Sequence, residues 1–139
     1  MKVLFDTNVL LDVFLEREPF FEASSRAVGL AEEGKIEGWL CGTTVTTIHY
    51  LLAKSLNPEN AEQYVMDILK IFHIAAITRA VLVEAVGCDF ADYEDGVIHQ
   101  SAIHANLDAI LTRNQKDFKK SELPVYSPAE FLKVIEILE

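Results

Sequence analysis

The chain has 139 residues, and its 12 basic and 22 acidic side chains give a formal net charge of −10. Half of the residues are apolar, which excludes a disordered or fibrous chain, and no apolar run approaches the roughly 18–20 residues of a membrane span. The acidic balance argues against broad electrostatic adhesion to nucleic acid or to an anionic membrane. The length fits a single domain over residues 1–139.

Short apolar segments alternate with amphipathic stretches, which is typical of an α/β fold with a mostly parallel sheet. The predicted strands are residues 3–5, 38–41, 73–77, 109–112 and 125–126. A helix with Ala27 and Ala31 on its apolar side ends before Gly34, and another starts at Thr43 or Thr44. Further helices are predicted from Asn57-Pro58, over 78–87, over 92–105 and from the capping box of residues 127–130.

Acidic residues fall at two places in this arrangement, one strand end and one helix start. Asp6 stands at the carboxyl end of the first strand, where parallel sheets build their sites, although it also suits the cap of a following helix. Asp92 and Asp95 begin a helix, with His99 one turn further on. Taken alone, this acidic pair is better explained as a helix cap, and His99 as a core or surface histidine.

The end of the fourth strand carries the oxygen-bearing side chains Thr112, Asn114 and Asp117. If the first and fourth strands are neighbours, these groups converge with Asp6 and the acidic helix start. Such a constellation suits a divalent-metal phosphodiesterase, in which Mg²⁺ or Mn²⁺ activates a water molecule.

Basic residues are concentrated just beyond this strand. Four of the twelve lie within eight positions, which suits either a solvated loop or contacts to a phosphate backbone: Arg113, Lys116, Lys119 and Lys120. No Gly-rich phosphate loop or nucleophile elbow is present. A phosphatase with Asp6 as nucleophile is a weaker alternative, because Asn8 occupies the place of its second acid. Cys41 and Cys88 form no CxxC pair, so we expect free thiols and a cytoplasmic protein.

Three segments together resemble the PIN-domain ribonucleases, many of which are VapC-type toxins of toxin–antitoxin pairs. These segments are residues 5–12 (FDTNVLLD), 92–95 (DYED) and 111–118 (LTRNQKDF). The resemblance covers nearly the whole chain, and the motifs occur in the family's order. It implies a three-layer α/β/α sandwich with a sheet of about five strands, and hydrolysis of RNA with Mg²⁺ or Mn²⁺. It further implies a homodimer and an antitoxin that covers the acidic pocket.

The resemblance also assigns roles to individual residues. Asp6 and Asp95 match the central metal ligands, and Asp117 and Asn114 complete the set directly or through water. Thr112 orients ligands or water, and the remaining residues are expected beside the metal or against substrate: Asn8, Asp12, Asp92, His49, Arg113 and Lys116.

One position departs from the family pattern. The family usually carries Glu in the helix after the second strand. In this chain the matching position is occupied by His49. His49 is then a poorer ligand, an RNA contact or a packing residue, and Asp12 either supplies the missing carboxylate or is an exposed helix acid. The loss of one acid would favour Mn²⁺ over Mg²⁺ as the bound ion, because Mn²⁺ accepts an imidazole ligand more readily. It also leaves open a catalytically weak PIN-like module that binds RNA or a protein partner.

Overall fold

A computed structural model describes all residues, 1–139, and contains one five-stranded sheet in which every neighbouring pair is parallel. The strand order is β3-β2-β1-β4-β5. The strands are β1 Lys2–Phe5, β2 Glu37–Cys41, β3 His73–Ala75, β4 Ala109–Leu111 and β5 Val125–Tyr126. The helices are α1 Thr7–Phe14, α2 Phe21–Glu32, α3 Gly42–Ser55, α4 Pro58–Ile71, α5 Arg79–Gly87, α6 Tyr93–His104 and α7 Pro128–Leu138, with a 3₁₀ turn, η1, at Gln115–Phe118.

The helices cover both faces of the sheet, so the predicted three-layer α/β/α sandwich is confirmed. Alternate residues of β1 point to opposite faces: Val3 and Phe5 enter one buried cluster, and Leu4 enters the other. The first cluster also contains residues of α1, α2, α3, α4 and α7, whereas the second contains residues of α5 and α6. No helix is long and apolar enough to cross a membrane.

Most predicted elements are present, and their ends differ by one or two residues. The strand predicted over 73–77 ends at Ala75, because its only partner, β2, ends at the paired residue Cys41. α3 begins directly after β2, at Gly42 rather than at Thr43 or Thr44, with Cys41 as its N-cap. The cap at Gly34 is confirmed: its φ of 77° lies in the left-handed region that favours glycine.

The strand order produces a topological switch between β1 and β4. β2 and β3 extend the sheet on one side of β1, and β4 and β5 extend it on the other. Phe5 pairs with Leu111, so the residues that follow them, Asp6 and Thr112, leave the sheet side by side. Ligand sites of open parallel sheets lie at this kind of position, at the carboxyl ends of the strands.

Candidate active site

Asp6 joins the end of β1 to the start of α1. Its Oδ1 accepts a 2.8 Å hydrogen bond from the backbone N–H of Thr7, so the helix-cap interpretation is correct. Its Oδ2 accepts a 2.8 Å hydrogen bond from the Thr112 hydroxyl, across the β1–β4 junction. Burial raises the pKa of Asp6 above its usual range even though these hydrogen bonds oppose the shift. Asp6 is therefore a cap and also a buried acid that a cation would stabilise.

The side chains of Asn8 and Thr112 both donate hydrogen bonds to the Asp6 carboxylate. The amide nitrogen of Asn8 donates to Asp6 Oδ2 at 3.2 Å and to Thr112 Oγ1 at 3.3 Å. The Thr112 hydroxyl also accepts a 3.0 Å hydrogen bond from the Asn114 backbone N–H. Because one hydroxyl offers one donor and two acceptor positions, Thr112 has a partner for each. The network holds Asp6 in one orientation at the edge of the sheet.

Asp95, at the start of α6, is a second acid with a raised pKa. Burial and the charges of Asp6, Asp92, Asp117 and Glu94 raise its pKa from 3.8 to about 7. Asp92 is the N-cap of α6 and accepts a 2.9 Å hydrogen bond from the Glu94 N–H, so its capping role is correct. The sequence alone assigns no role to Glu94, although its charge helps to raise the pKa of Asp95. Its position between Asp92 and Asp95 is the signal that could have identified it as part of the acidic cluster.

Asn114 and Asp117 flank the start of η1, just beyond β4. The Asp117 N–H donates to the Asn114 backbone oxygen at 3.0 Å, which forms the turn. The Asp117 side chain is exposed, and its charge acts on both Asp6 and Asp95. The structure thus brings acids from three separate chain segments to one edge of the sheet: Asp6, Asp95 and Asp117.

The donor chemistry of this cluster suits a hard divalent cation. No three Asp, Glu, His or Cys side chains stand close enough together to enclose a metal ion by themselves. Mg²⁺ does not require such a cage, because it keeps several water ligands and binds through one or two carboxylates together with substrate phosphates. Burial and then repulsion by the neighbouring acids raise the pKa of Asp95, and a cation between the acids would relieve that repulsion. Asp6 and Asp95 are accordingly the residues best suited to hold the ion.

A family model of the PIN domain matches residues 2–116, which is most of the chain. This chain belongs to the PIN domain family. Among curated PIN proteins it is similar to Ribonuclease VapC1 of Aquifex aeolicus (strain VF5), with 26% identity over 135 residues that cover 94% of this chain and 92% of the relative.

Solved structures show the same fold. VapBC2 from Rickettsia felis, bound to a promoter DNA fragment, aligns with a TM-score of 0.68 and 18% identity over 90% of this chain and 97% of that one. A toxin–antitoxin complex from Klebsiella pneumoniae aligns with a TM-score of 0.68 and 23% identity over 91% and 97% of the two chains.

The helix in which PIN proteins usually carry Glu brings no acid to this cluster. α3 contains no Asp or Glu, and its contact with the site is Thr44, whose hydroxyl accepts a 3.1 Å hydrogen bond from Thr7. His49 is five positions after Thr44 in α3. Five residues of an α-helix turn through one full turn and roughly 140° more, so the two side chains lie on different sides of the helix. His49 is exposed, and the structure does not bring it to Asp6.

Asp12, the other residue expected to supply the missing carboxylate, is paired with Arg113. The expectation that it is an exposed helix residue is wrong: its side chain is fully buried, and both of its oxygens accept hydrogen bonds from the Arg113 guanidinium, at 2.7 and 3.1 Å. Arg113 is consequently held by Asp12 and is not the freely solvated loop residue that the sequence offers as one interpretation. Lys116 and Lys119 are exposed beside the site, whereas Lys120 pairs with Asp89 at 3.3 Å.

His99 is a core residue, as the sequence favours. One ring nitrogen is 3.0 Å from the Gln100 side-chain oxygen, and the other accepts a hydrogen bond from the Glu122 N–H. Burial lowers the pKa of His99, which keeps the ring neutral. It therefore plays no part in the acidic cluster.

Proposed function

We propose that this PIN protein is a divalent-metal-dependent endoribonuclease and the toxin of a toxin–antitoxin pair. The observation that carries the proposal is the meeting of Asp6, Asp95 and Asp117 at the β1–β4 switch, with the pKa of Asp95 raised to about 7. The similarity to a ribonuclease and to VapBC complexes supports it. Acids that repel one another beside a strand end are suited to bind Mg²⁺ or Mn²⁺.

Asp6 and Asp95 would hold the ion, with Asp117 and Asn114 acting directly or through water. The bound cation supplies a water nucleophile of lowered pKa and neutralises charge that develops on the phosphate. The hydrogen bonds from Thr112 and Asn8 keep Asp6 in position before RNA arrives. No side chain is required as a covalent nucleophile in this scheme.

Asp95 couples the site to pH. With a pKa of about 7, its carboxyl oxygen holds a proton in a large fraction of the metal-free molecules at neutral pH. Loss of that proton creates the charge that a cation requires as a ligand. Metal binding is therefore linked to proton release at Asp95.

The RNA backbone would lie along η1, the 3₁₀ turn beside the acidic cluster. Lys116 and Lys119 are exposed there and form no ion pair, whereas the protein as a whole carries a net charge of −10. These lysines would contact phosphates on either side of the cleaved bond. The local positive charge offsets the repulsion between RNA and the remainder of the surface.

The proposal extends to assembly and setting. A cytoplasmic protein with the free thiols Cys41 and Cys88 would act as a homodimer and be inhibited by an antitoxin. A basic side chain of that partner, inserted between Asp6 and Asp95, would occupy the place of the cation and neutralise the acids.

The test is cleavage of an end-labelled single-stranded RNA with Mg²⁺, with Mn²⁺ and with chelator. Wild type should cut only with metal, and Asp95→Asn should lose at least about tenfold in rate, because a metal ligand is removed. Glu136→Gln, which removes an exposed acid on α7, is the matched control and should cut like wild type. Equal metal-dependent cleavage by Asp95→Asn would contradict the assignment.

A binding-only PIN module is the second candidate, and the absence of any acid in α3 favours it. The nuclease should bind a divalent metal ion at its acids, whereas the binding-only module need not. Calorimetric titration with Mn²⁺ should show binding that Asp6→Asn abolishes if the site is catalytic. No Mn²⁺ uptake by wild type, together with retention of labelled RNA on the protein, would establish the binding module instead.

A further inference from the structure

A buried ion pair links the candidate active site to the first helix. Asp12 of α1 is fully buried, and Arg113, which follows β4, has a side chain that is 24% exposed. Nε and Nη2 of Arg113 bond the two oxygens of Asp12 at 2.7 and 3.1 Å, which is the paired geometry that guanidinium and carboxylate favour. The guanidinium carbon also lies 4.4 Å from the centre of the Phe20 ring.

The same helix also holds the backbone of Arg113. The Arg113 N–H donates a 3.2 Å hydrogen bond to Oδ1 of Asn8. Asn8 and Asp12 are four residues apart, so they lie on one side of α1, about 6 Å apart along its axis. Arg113 is thus held at two points by a single helix. We call these three residues, Asn8, Asp12 and Arg113, the clamp.

We propose that the Asp12–Arg113 pair is a positioning device for the active site and not an RNA contact. It fixes the segment from Thr112 to Asp117, which carries the hydroxyl that orients Asp6 and two of the proposed metal ligands. This inference rests on the proposed nuclease function for its catalytic consequence, whereas its structural consequence is independent of that function. Arg113 acts through the backbone it fixes, so it is a positioning residue.

The rival explanation makes the opposite prediction for Asp12. If Arg113 binds RNA phosphates, release of its side chain by Asp12→Asn should lower KM for RNA. If Arg113 positions the loop, Asp12→Asn should lower kcat and weaken Mn²⁺ binding while KM stays close to the wild-type value. A geometric fault of about 1 Å in a catalytic site can cost up to about 100-fold in rate.

The experiment compares Asp12→Asn and Arg113→Lys with a matched control, Arg17→Gln. Lysine keeps the charge of Arg113 but cannot span both oxygens of Asp12. The Arg17 side chain is 42% exposed, and its Nη1 lies 3.8 Å from Oδ1 of Asp12. That distance is too long for a hydrogen bond, so removal of Arg17 leaves both hydrogen bonds between Arg113 and Asp12 with their partners. Each variant is examined for kcat and KM on labelled RNA, for Mn²⁺ affinity by calorimetry, and for amide hydrogen exchange at Arg113 and Asn114.

Both clamp variants should lose about tenfold or more in kcat, bind Mn²⁺ several-fold more weakly and exchange these two amides about tenfold faster. Arg17→Gln should match wild type in all three. The proposal is overturned if both clamp variants change only the melting temperature, or if Asp12→Asn lowers KM. If wild type neither cuts RNA nor binds Mn²⁺ while the clamp variants still exchange faster, the nuclease proposal has failed and the positioning of the loop stands.

Discussion

Thr112 and Asp6, which are 106 residues apart in the chain, are joined by a 2.8 Å hydrogen bond from hydroxyl to carboxylate. The bond exists because β1 and β4 are neighbours and end in register, so the first residue past each strand meets the other. The central acid of the candidate site is therefore oriented by a residue from the far end of the sequence. This relationship holds the Asp6 carboxylate in one orientation at the β1–β4 edge, which is where the candidate site lies.

Metal affinity should depend on pH near neutrality. Because the charged form of Asp95 is the proposed ligand and its pKa is raised to about 7, Mn²⁺ affinity should rise with pH and level off above that value. Calorimetry in two buffers of different ionisation enthalpy should detect protons released on binding. Asp95→Asn should reduce both the proton release and the pH dependence, and what remains should come from Asp6, whose pKa is also raised. A flat wild-type affinity from about pH 6 to about pH 8 would contradict the assignment.

Asp95 should also destabilise the metal-free fold at high pH. Its pKa is raised from 3.8 to about 7, so the folded state binds its proton more tightly than the unfolded chain does. The stability from that proton is complete below about pH 3.8 and is lost as the pH rises through about 7. In thermal melts with chelator, Asp95→Asn should therefore raise Tm more at about pH 8 than at about pH 5. Equal shifts at the two pH values would refute this explanation.

The exposed lysines beside η1 should govern the salt dependence of RNA binding. Removal of Lys116 and Lys119 together, each as Lys→Gln, should weaken binding for any RNA sequence. It should also reduce the slope of log affinity against log salt by roughly 1.4, which is 0.7 for each lost phosphate contact on a single strand. Lys120→Gln is the control, because Lys120 already pairs with Asp89. An unchanged slope in the double variant would remove these lysines from the interface.

Gly38 should be required for stability and not for chemistry. A Cβ at this position would lie 2.7 Å from the Phe72 ring and 2.9 Å from the Cβ of Ala31. Gly38→Ala should thus lower the free energy of unfolding by about 1–3 kcal/mol. Gly29→Ala, in an open position within α2, should instead raise it by about 0.5–1 kcal/mol. Urea unfolding measures both, and the proposed cleavage activity below the melting range should match wild type in each.

Much of the fold could be predicted from local sequence. Gly34 ends α2, Pro58 opens α4 and Ser127 caps α7, because each of these signals acts through its own backbone and near neighbours. The end of β3 could not be predicted in this way. It depends on where β2, an element more than thirty residues earlier, stops offering hydrogen-bond partners.

In the candidate site, too, some features follow from local sequence and others depend on residues far away in the chain. The positions of Asp6, Asp95 and Asp117 follow from strand and helix ends, so the sequence places them near one edge once the sheet order is known. The burial of Asp12 could not be predicted, because Arg113, the residue that donates hydrogen bonds to both of its oxygens, is 101 positions away. A charged residue on a short helix is ordinarily exposed, and this tertiary pair compensates the buried charge more closely than the local Arg17, whose Nη1 lies 3.8 Å from Oδ1 of Asp12.

The most direct test of the account is the cleavage rate of wild type and Asp6→Asn on one labelled RNA with Mn²⁺. If Asp6 is a metal ligand, as proposed, the variant should lose at least about 100-fold in rate, with Tm within a few degrees of wild type. The change is close to isosteric, so the fold should survive it. Equal rates for the two proteins would show that the acidic edge between β1 and β4 is not the catalytic site.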